Sequence, residues 1–363
     1  MSHSTYMAWA LQLAAQGLYT TQPNPRVGCV LVKHKQIIAE GWHRKAGEAH
    51  AEIHALNQAG NRAKGATAYV TLEPCSHHGR TPPCADALVD AGVSRVVIAM
   101  EDPNPQVSGQ GVARLREAGI EVITGVLEAQ ARELNPGFIK RMSSGLPYVR
   151  VKLAMSLDGR TAMASGESQW ITGSAARKDV QKLRARSSAI LTGIATIRAD
   201  DPSLNVRMTA EELGLDIPPH QPMRVILDSQ LSCPHDAKLF SLPGQTVILT
   251  SHPEPLTEDF PRAEVVQLKQ SEGRVDLHAA MQWLATQEIN EVHVEAGSVL
   301  CGALLESGLV DELVIYMAPH LMGNQAKGLF HLPDIQSMER RLELDIKDIR
   351  MVGQDVRITA LPK

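Results

Sequence analysis

Aromatic residues are scarce in this chain: Phe, Trp and Tyr together make up 4% of 363 positions. That scarcity removes the stacking platforms on which single-stranded nucleic acids are usually held. An excess of positive charge is missing too. The formal net charge is −4, so there is no basic footprint of the kind a polyanion requires. No apolar run approaches the roughly 20 residues that cross a bilayer. The stretch Met1–Leu18 has neither the basic start nor the long apolar core of a secretory signal. Cysteine is sparse as well, with five residues at irregular spacing. An odd number of scattered thiols suits a reducing compartment and metal ligation better than a disulfide framework. These absences lead us to expect a soluble, cytoplasmic protein that binds neither membrane nor nucleic acid.

What is present is ordinary in bulk and unusual in detail. Hydrophobic residues at 44% and charged residues at 21% are typical of globular chains. The length suits two domains, each able to bury its own core. The unusual detail is His50-Ala51-Glu52, followed by Pro74-Cys75 and Pro83-Cys84. One histidine and two thiolates supply three zinc ligands and leave the fourth tetrahedral position for water, as in catalytic zinc sites. The metal lowers the pKa of that water from 15.7 to about 7. Glu52 is then the general acid/base of a deaminase. The alternative is a structural zinc site or two unrelated cysteines.

Residues two apart on a helix diverge, so His50 and Glu52 converge only if His50 stands just before the first turn. Cys84 is expected to open a helix, where the dipole lowers a thiol pKa.

Around this cluster the pattern alternates. A helix is expected over Tyr6–Gln16, closed by Gly17, and a hairpin over Val27–Gly41. Strands follow at Ala68–Leu72, Arg95–Met100 and Glu121–Thr124, with helices at Ala85–Ala91, Val112–Ala118 and Glu128–Lys140. Such alternation predicts a sheet with helices on both faces. Two prolines fix the loop around Asn24. Its amide can meet a pyrimidine edge, or Asn24 can be a turn residue and nothing more. A second Pro-Asn-Pro, at 103–105, ends another strand.

Ser143-Ser-Gly-Leu-Pro147 reads as a linker. Beyond it no second cluster of Cys, His and carboxylates recurs, so Cys233 and Cys301 are bystanders to any metal chemistry. A strand over Tyr148–Ser156 ends at an Asp-Gly turn. A helix over Ser174–Arg186 carries Arg177, Lys178, Lys182, Arg184 and Arg186. Lys178 and Lys182 read as a solvated face, whereas a guanidinium such as that of Arg184 or Arg207 can grip a phosphate through paired donors. The strand Glu291–Val294 turns through Glu295-Ala-Gly297-Ser298 into the helix Val299–Ser307. That turn is either a phosphate site at a helix N-terminus or an ordinary βα loop.

The eight residues between the cysteines, in Cys75-Ser-His-His-Gly-Arg-Thr-Pro-Pro-Cys84, depart from the two of the general deaminase pattern. With Pro23-Asn-Pro-Arg-Val-Gly28, they make the first half resemble the deaminase of riboflavin biosynthesis. That family removes an amino group from a diamino-hydroxy-pyrimidine carrying a phosphoribosylamino group. His77, His78 and Arg80 in the insert suit a phosphorylated sugar, or form a solvated loop.

The second half resembles the riboflavin-pathway reductase, which has a dihydrofolate-reductase-like fold and uses NADPH. The resemblance rests on Val151-Lys-Leu-Ala-Met-Ser-Leu-Asp-Gly-Arg160, Ser168-Gln-Trp170-Ile171, Thr196, Asp200-Asp-Pro-Ser-Leu204-Asn-Val-Arg207 and Glu295-Ala-Gly297. It implies dinucleotide contacts at Ala154, Trp170, Thr196, Asp200, Ser229 and the turn Gly297, Ser298, Val299, Leu300, Cys301, Gly302 and Ala303. It implies substrate contacts at Ser168, Arg184, Leu204, Arg207 and Glu295, with Asn24 serving the deaminase.

The expectation is therefore an α/β chain: a cytidine-deaminase-like three-layer α/β/α domain over residues 1–145 with one zinc ion, then a dihydrofolate-reductase-like α/β domain over 146–363 with NADPH. A small phosphoribosyl-pyrimidine is the expected partner and a homodimer the expected assembly. An RNA or DNA base deaminase is opposed by the acidic balance, the few aromatics and the His-rich insert. A metal-dependent regulatory module remains the other alternative.

Overall fold

Continuous apolar runs such as Cys29–Val32 and Val96–Met100 can only be strands covered on both sides, and they form the centre of the amino-terminal half. A computed structural model describes residues 2–76, 83–105, 107–253, 260 and 262–363. The chain divides into two compact units, Met1–Leu146 and Pro147–Lys363.

In unit 1 the elements are α1 (His3–Ala15), β1 (Gly28–Lys33), β2 (Gln36–Trp42), α2 (Ala51–Ala59), β3 (Thr67–Val70), α3 (Cys84–Asp90), β4 (Arg95–Ile98), α4 (Gln110–Glu117), β5 (Glu121–Ile123), α5 (Glu128–Leu134) and α6 (Pro136–Ser144). The strands line up as β2-β1-β3-β4-β5. Alternate residues of one strand feed two cores, as the period of two requires. Cys29, Leu31, Ala68, Val70, Val96 and Ile98 pack with α2, α3 and α4. Val30, Val32, Tyr69 and Val97 pack with α1, α5 and α6. This is the three-layer α/β/α arrangement.

Two glycines seat the site. A Cβ on Gly41 would lie 2.4 Å from the Ala51 carbonyl oxygen, so only glycine lets β2 approach the start of α2. A Cβ on Gly111 would meet the Pro74 carbonyl oxygen at 2.0 Å, so glycine also lets α4 lie against the segment carrying Cys75.

Three sequence expectations change. Gly17 is no left-handed cap. It lies buried in a 3₁₀ turn, with Thr21 and the His43 carbonyl where a Cβ would go. The helix expected over Glu128–Lys140 is broken at Asn135, because Pro136 has no N–H to continue it and starts α6 instead. The Asn135 side chain accepts from the Arg26 N–H at 2.8 Å and donates to the Arg26 carbonyl at 2.9 Å. The linker serines 143 and 144 end α6, and Gly145 caps it in the left-handed conformation.

Unit 2 contains β6 (Tyr148–Ser156), β7 (Arg160–Ala162), α7 (Ser174–Arg186), β8 (Ala189–Gly193), α8 (Ile194–Asp200), α9 (Ala210–Leu213), β9 (Met223–Leu227), β10 (Thr246–Thr250), β11 (Glu264–Gln267), β12 (Gln270–Ser271), β13 (Arg274–Val275), α10 (Leu277–Thr286), β14 (Glu291–Val294), α11 (Ser298–Glu306), β15 (Glu312–Ala318), β16 (Lys327–Gly328), β17 (Leu344–Val352) and β18 (Asp355–Pro362). Its main sheet runs β11-β10-β9-β8-β14-β6-β15-β18-β17. It is parallel from β11 to β15, then antiparallel through β18 and β17. Ala176, Val180 and Leu183 of α7 pack on Val314 and Tyr316.

Beneath α7 the sheet buries charge in compensated form. Arg150 reaches Glu291 and Glu312, each at 3.1 Å. Among the described residues no helix is long and apolar enough to cross a membrane.

Candidate active sites

Each donor of the first site stands where a regular element begins or ends. His50 is the residue before α2, with extended backbone (φ −73°, ψ 166°), and Glu52 lies in the first turn. That change of backbone is what turns two residues with one between them toward the same point. Cys75 follows β3, and Cys84 is the first residue of α3. The His50 Nδ1 atom lies 3.3 Å from Cys84 Sγ and 3.7 Å from Cys75 Sγ. All three donor atoms fall within 4.8 Å of one another. Tetrahedral zinc with bonds of about 2.0–2.3 Å spaces its ligand atoms by about 3.6–3.8 Å, so this donor set fits zinc with small adjustments.

The electrostatics suit the same use. Donation from Cys84 lowers the Cys75 thiol, His50 and the Cys84 backbone N–H adding to it, while contact with the Cys75 sulfur and burial raise Cys84. Glu52 is 3% exposed, and its Oε2 has no hydrogen-bond partner among the described residues. Burial pushes its carboxyl up to about 7, opposed by neighbouring His50. A carboxyl poised near neutrality can both take and return a proton.

Asn24 is held by a residue that sequence reasoning passed over. His43 Nδ1 lies 3.1 Å from the Ala49 carbonyl, and its Nε2 lies 3.1 Å from Asn24 Nδ2. The ring therefore donates through Nδ1 and accepts through Nε2, leaving the Asn24 side-chain carbonyl and one N–H unspent among the described residues. Burial lowers the His43 pKa and keeps the ring neutral. A lone histidine after a strand carries no sequence signal of this role.

Glu73 was also missed. Its carboxylate accepts from the N–H groups of Asp102 (3.1 Å), Gly109 (3.0 Å), Gly111 (2.8 Å) and Val112 (3.1 Å), tying the second Pro-Asn-Pro loop beside Cys75. His77, His78 and Arg80 lie outside the described residues.

The second site is a cleft of about 1920 Å³ at the carboxyl ends of the parallel strands, where open α/β sheets bind ligands. Pockets for one small ligand span about 300–1,000 Å³, so this one has room for two. Ala154, Trp170, Thr196, Asp200, Ser229, Gly297, Ser298, Val299, Leu300 and Ala303 line it, as do Ser168, Arg184, Leu204, Arg207 and Glu295. Cys301 and Gly302 do not: Cys301 Sγ points to the Ala296 carbonyl, and Gly302 packs on the backbone of His331.

Gly297 precedes α11 without a side-chain cap, so the first N–H groups of that helix are left for an anion such as a dinucleotide phosphate. Trp170 stands 72% exposed at the rim, with the Arg177 guanidinium 4.7 Å from its ring centre.

Arg184 and Glu295 form the polar core of the cleft. The Arg184 Nε and Nη2 atoms donate to the two oxygens of Glu295, the second at 2.9 Å, and Nη1 donates to the Asn205 carbonyl at 3.0 Å. Burial would raise Glu295, but Arg184 outweighs it and holds the carboxyl well below its ordinary range. Burial, and then the nearby Arg184, lower Arg207. Arg184 is bonded to Glu295, and Arg207 stands near enough to feel both charges, which leaves positive charge at the spot.

The basic helix therefore has two faces. Arg177 and Arg184, two turns apart, face the cleft, while Lys178 is exposed and paired with Glu212 at 2.8 Å. Lys152 also lines the cleft, lowered by burial, and was missed. Its signal was a lysine alternating with Val151 and Leu153 in an apolar strand.

Fold and sites define a chain with a zinc-dependent deaminase in front of a reductase. Residues 1–100 match the cytidine and deoxycytidylate deaminase zinc-binding region, and residues 147–358 match the RibD C-terminal domain. The riboflavin biosynthesis protein RibD of Escherichia coli is 51% identical over 362 residues, 98% of each chain. That of Bacillus amyloliquefaciens is 44% identical over 362 residues, 99% of this chain and 96% of the relative. The solved Acinetobacter baumannii RibD superposes with a TM-score of 0.92 at 48% identity, covering 99% of both chains. A Thermotoga maritima diaminohydroxyphosphoribosylaminopyrimidine deaminase/5-amino-6-(5-phosphoribosylamino)uracil reductase superposes at 0.88 with 33% identity, again over 99% of both.

The chain belongs to the RibD family of riboflavin biosynthesis proteins. It is a bifunctional enzyme, a hydrolase in its deaminase half and an oxidoreductase in its reductase half, with zinc and NADPH as cofactors.

Proposed function

We propose that unit 1 converts 2,5-diamino-6-ribosylamino-4(3H)-pyrimidinone 5′-phosphate and water to 5-amino-6-(5-phosphoribosylamino)uracil and ammonia, and that unit 2 reduces this product to 5-amino-6-(5-phosphoribitylamino)uracil. The observation that carries the reading is the buried, unpartnered Oε2 of Glu52 beside the His50, Cys75 and Cys84 donors. Those three residues hold the metal. Zinc, when bound, supplies a water acidified to a pKa of about 7. Glu52 Oε2 takes one proton from the attacking water and gives it to the ring nitrogen, then takes the second from the hydroxyl now on the reacting carbon and gives it to the amino group, which leaves as ammonia. Asn24, set by His43, offers its free amide atoms to the pyrimidine edge.

In unit 2, NADPH when bound supplies a hydride for the ribosyl C1′ of the opened, imine form of the sugar. Arg184 and Arg207 bind the sugar phosphate by charge-assisted hydrogen bonds, with Glu295, Ser168 and Leu204 completing the substrate wall. Ala154, Trp170, Thr196, Asp200, Ser229 and the first turn of α11 hold the dinucleotide; Cys301 and Gly302 support that turn from behind. Orientation of the two reactants supplies much of the rate.

The test is Glu52→Gln. It keeps stoichiometric zinc, loses ammonia release by about 10²–10⁴-fold, and leaves NADPH oxidation intact when the deaminated substrate is supplied. Loss of both activities in a folded, zinc-loaded variant would overturn the assignment.

Three broader features belong to the same reading. The domains span 1–145 and 146–363. The enzyme is cytoplasmic and binds no nucleic acid, in keeping with its net charge of −4 and five free cysteines.

It is also a homodimer through the edge strand β17. There Leu344, Ile346 (56% exposed), Ile349 (60%) and Met351 (63%) pair with Pro362, Ala360, Ile358 and Val356. A bulge between Ile346 and Asp348 keeps the four on one face. A long apolar edge invites a second chain. Light scattering should give twice the chain mass, and Ile349→Lys should halve it; a monomeric parent enzyme would refute the dimer.

A further inference from the structure

The reductase cleft extends beyond the contacts assigned above. Past Ser229 its wall continues through the hairpin of β12 and β13 to the first turn of α10, where Gly273, Arg274 and His278 line it. A hydrogen bond joins this hairpin to the end of β9: the Val275 N–H donates to Ser229 Oγ at 3.0 Å. The Asp276 N–H donates to the Lys269 carbonyl at 2.9 Å, and the Asp276 carboxylate caps α10 through the Ala279 N–H. Arg274 is thus carried on a fixed support. Its exposed side chain has no hydrogen bond or ion pair among the described residues.

The direction of the cofactor follows from the sheet. The groups assigned to the sugar, Arg184 and Glu295, sit on α7 and at the end of β14. Hydride donor and acceptor must touch, so the nicotinamide belongs at the β14/β6 side, beside Ala154. The strand order β9-β8-β14-β6 then sends the adenosine toward Ser229. With strands about 4.8 Å apart, three steps carry it about 14 Å from β6. Immediately beyond Ser229 stands Arg274. NADPH differs from NADH only by a 2′-phosphate on that adenosine, and a guanidinium fork matches phosphate geometry.

Other cations on this wall are less available. The Arg198 guanidinium donates to the Ser232 carbonyl at 3.0 Å, and Lys152 lies at the opposite, β6 side of the cleft. Glu272 also lines the wall, so without Arg274 the phosphate would face a carboxylate instead.

We propose that Arg274 receives the 2′-phosphate of NADPH and sets the preference of this enzyme for NADPH over NADH. This rests on the reading that the dinucleotide lies from Ala154 to Ser229.

The test is Arg274→Ala in the full chain, with an unchanged unfolding transition of unit 2 as the control for folding. Calorimetry should show 2′,5′-ADP bound about tenfold or more weakly, as expected for loss of a charge-assisted contact, and 5′-AMP bound as before. The kcat/KM with NADPH should fall by the same factor, while that with NADH stays within about twofold. Arg274→Lys should restore part of the discrimination, since a point charge replaces the fork. Asp200→Ala probes the underlying reading and should weaken NADPH and NADH alike. If it does so while Arg274→Ala leaves the NADPH/NADH ratio unchanged, the Arg274 assignment is overturned and the cleft reading stands. If neither variant affects either cofactor, the cleft reading itself fails.

Discussion

In unit 1 the three donors that could hold a metal come from three element ends, the residue before α2, the residues after β3 and the first residue of α3. In unit 2 the central pair joins Arg184 on α7 to Glu295 after β14, 111 positions apart. The cleft wall draws further on β6, α8, β9 and α11. A metal concentrates the chemistry, so a few side chains suffice once short segments bring them together. A hydride transfer between two bound molecules needs a long wall instead, and the residues that form it are spread along the chain. The two sites should therefore fail separately and in different ways.

The sharpest separation should come from removing zinc. A strong chelator is expected to abolish ammonia release and restore it on zinc addition, with NADPH oxidation of the deaminated substrate unchanged. Parallel loss of both activities would break the comparison.

Next in size is Arg184→Ala, which leaves Glu295 half-buried without its cation. Removing one partner of a buried pair costs about 3–5 kcal/mol, and the partial exposure of Glu295 puts this case near 3 kcal/mol. Denaturant unfolding should show the transition of unit 2 shifted and that of unit 1 unmoved; a shift of both would mean that the units unfold together.

Arg207→Ala should be milder, raising the reductase KM for its phosphorylated substrate about tenfold with deamination unaffected. Equal damage to both activities would remove Arg207 from the reductase site.

The smallest effect concerns acid. Asp158 is held down at about 2 by the Ser156 hydroxyl and the N–H groups of Met322 and Gly323, against an ordinary 3.8. A depressed folded-state pKa contributes stability that is fully present above pH 3.8 and lost as pH falls toward 2. Asp158→Asn should flatten that acid dependence for unit 2, and an unchanged acid profile would count against the role of the carboxylate in tying these loops.

Much of unit 1 could be read directly because its signals are local. The apolar run of β1, the two Pro-Cys pairs and the His-x-Glu before α2 each need only a few neighbouring residues. Arg184 could be singled out in the sequence as a candidate phosphate ligand, but its bond to Glu295 could not, since helix and strand meet only through packing. The break at Asn135 was written in Pro136, yet the clamp onto Arg26 that makes Asn135 structural spans 109 positions. His43, Glu73 and Lys152 were missed for the same reason: nothing in their flanking residues says what they face.

The sequence by itself determined the donor set His50, Cys75 and Cys84 with its carboxylate Glu52, and the order of deaminase before reductase. These follow from residue type and spacing, which covalent geometry carries directly into space. Only the tertiary structure decided that Glu52 is buried with one oxygen unpartnered among the described residues, that Arg184 is committed to Glu295, and that Arg274 lines the same cleft as that pair. Burial and charge pairing depend on which distant segments come into contact, and that contact exists only once the sheet has formed.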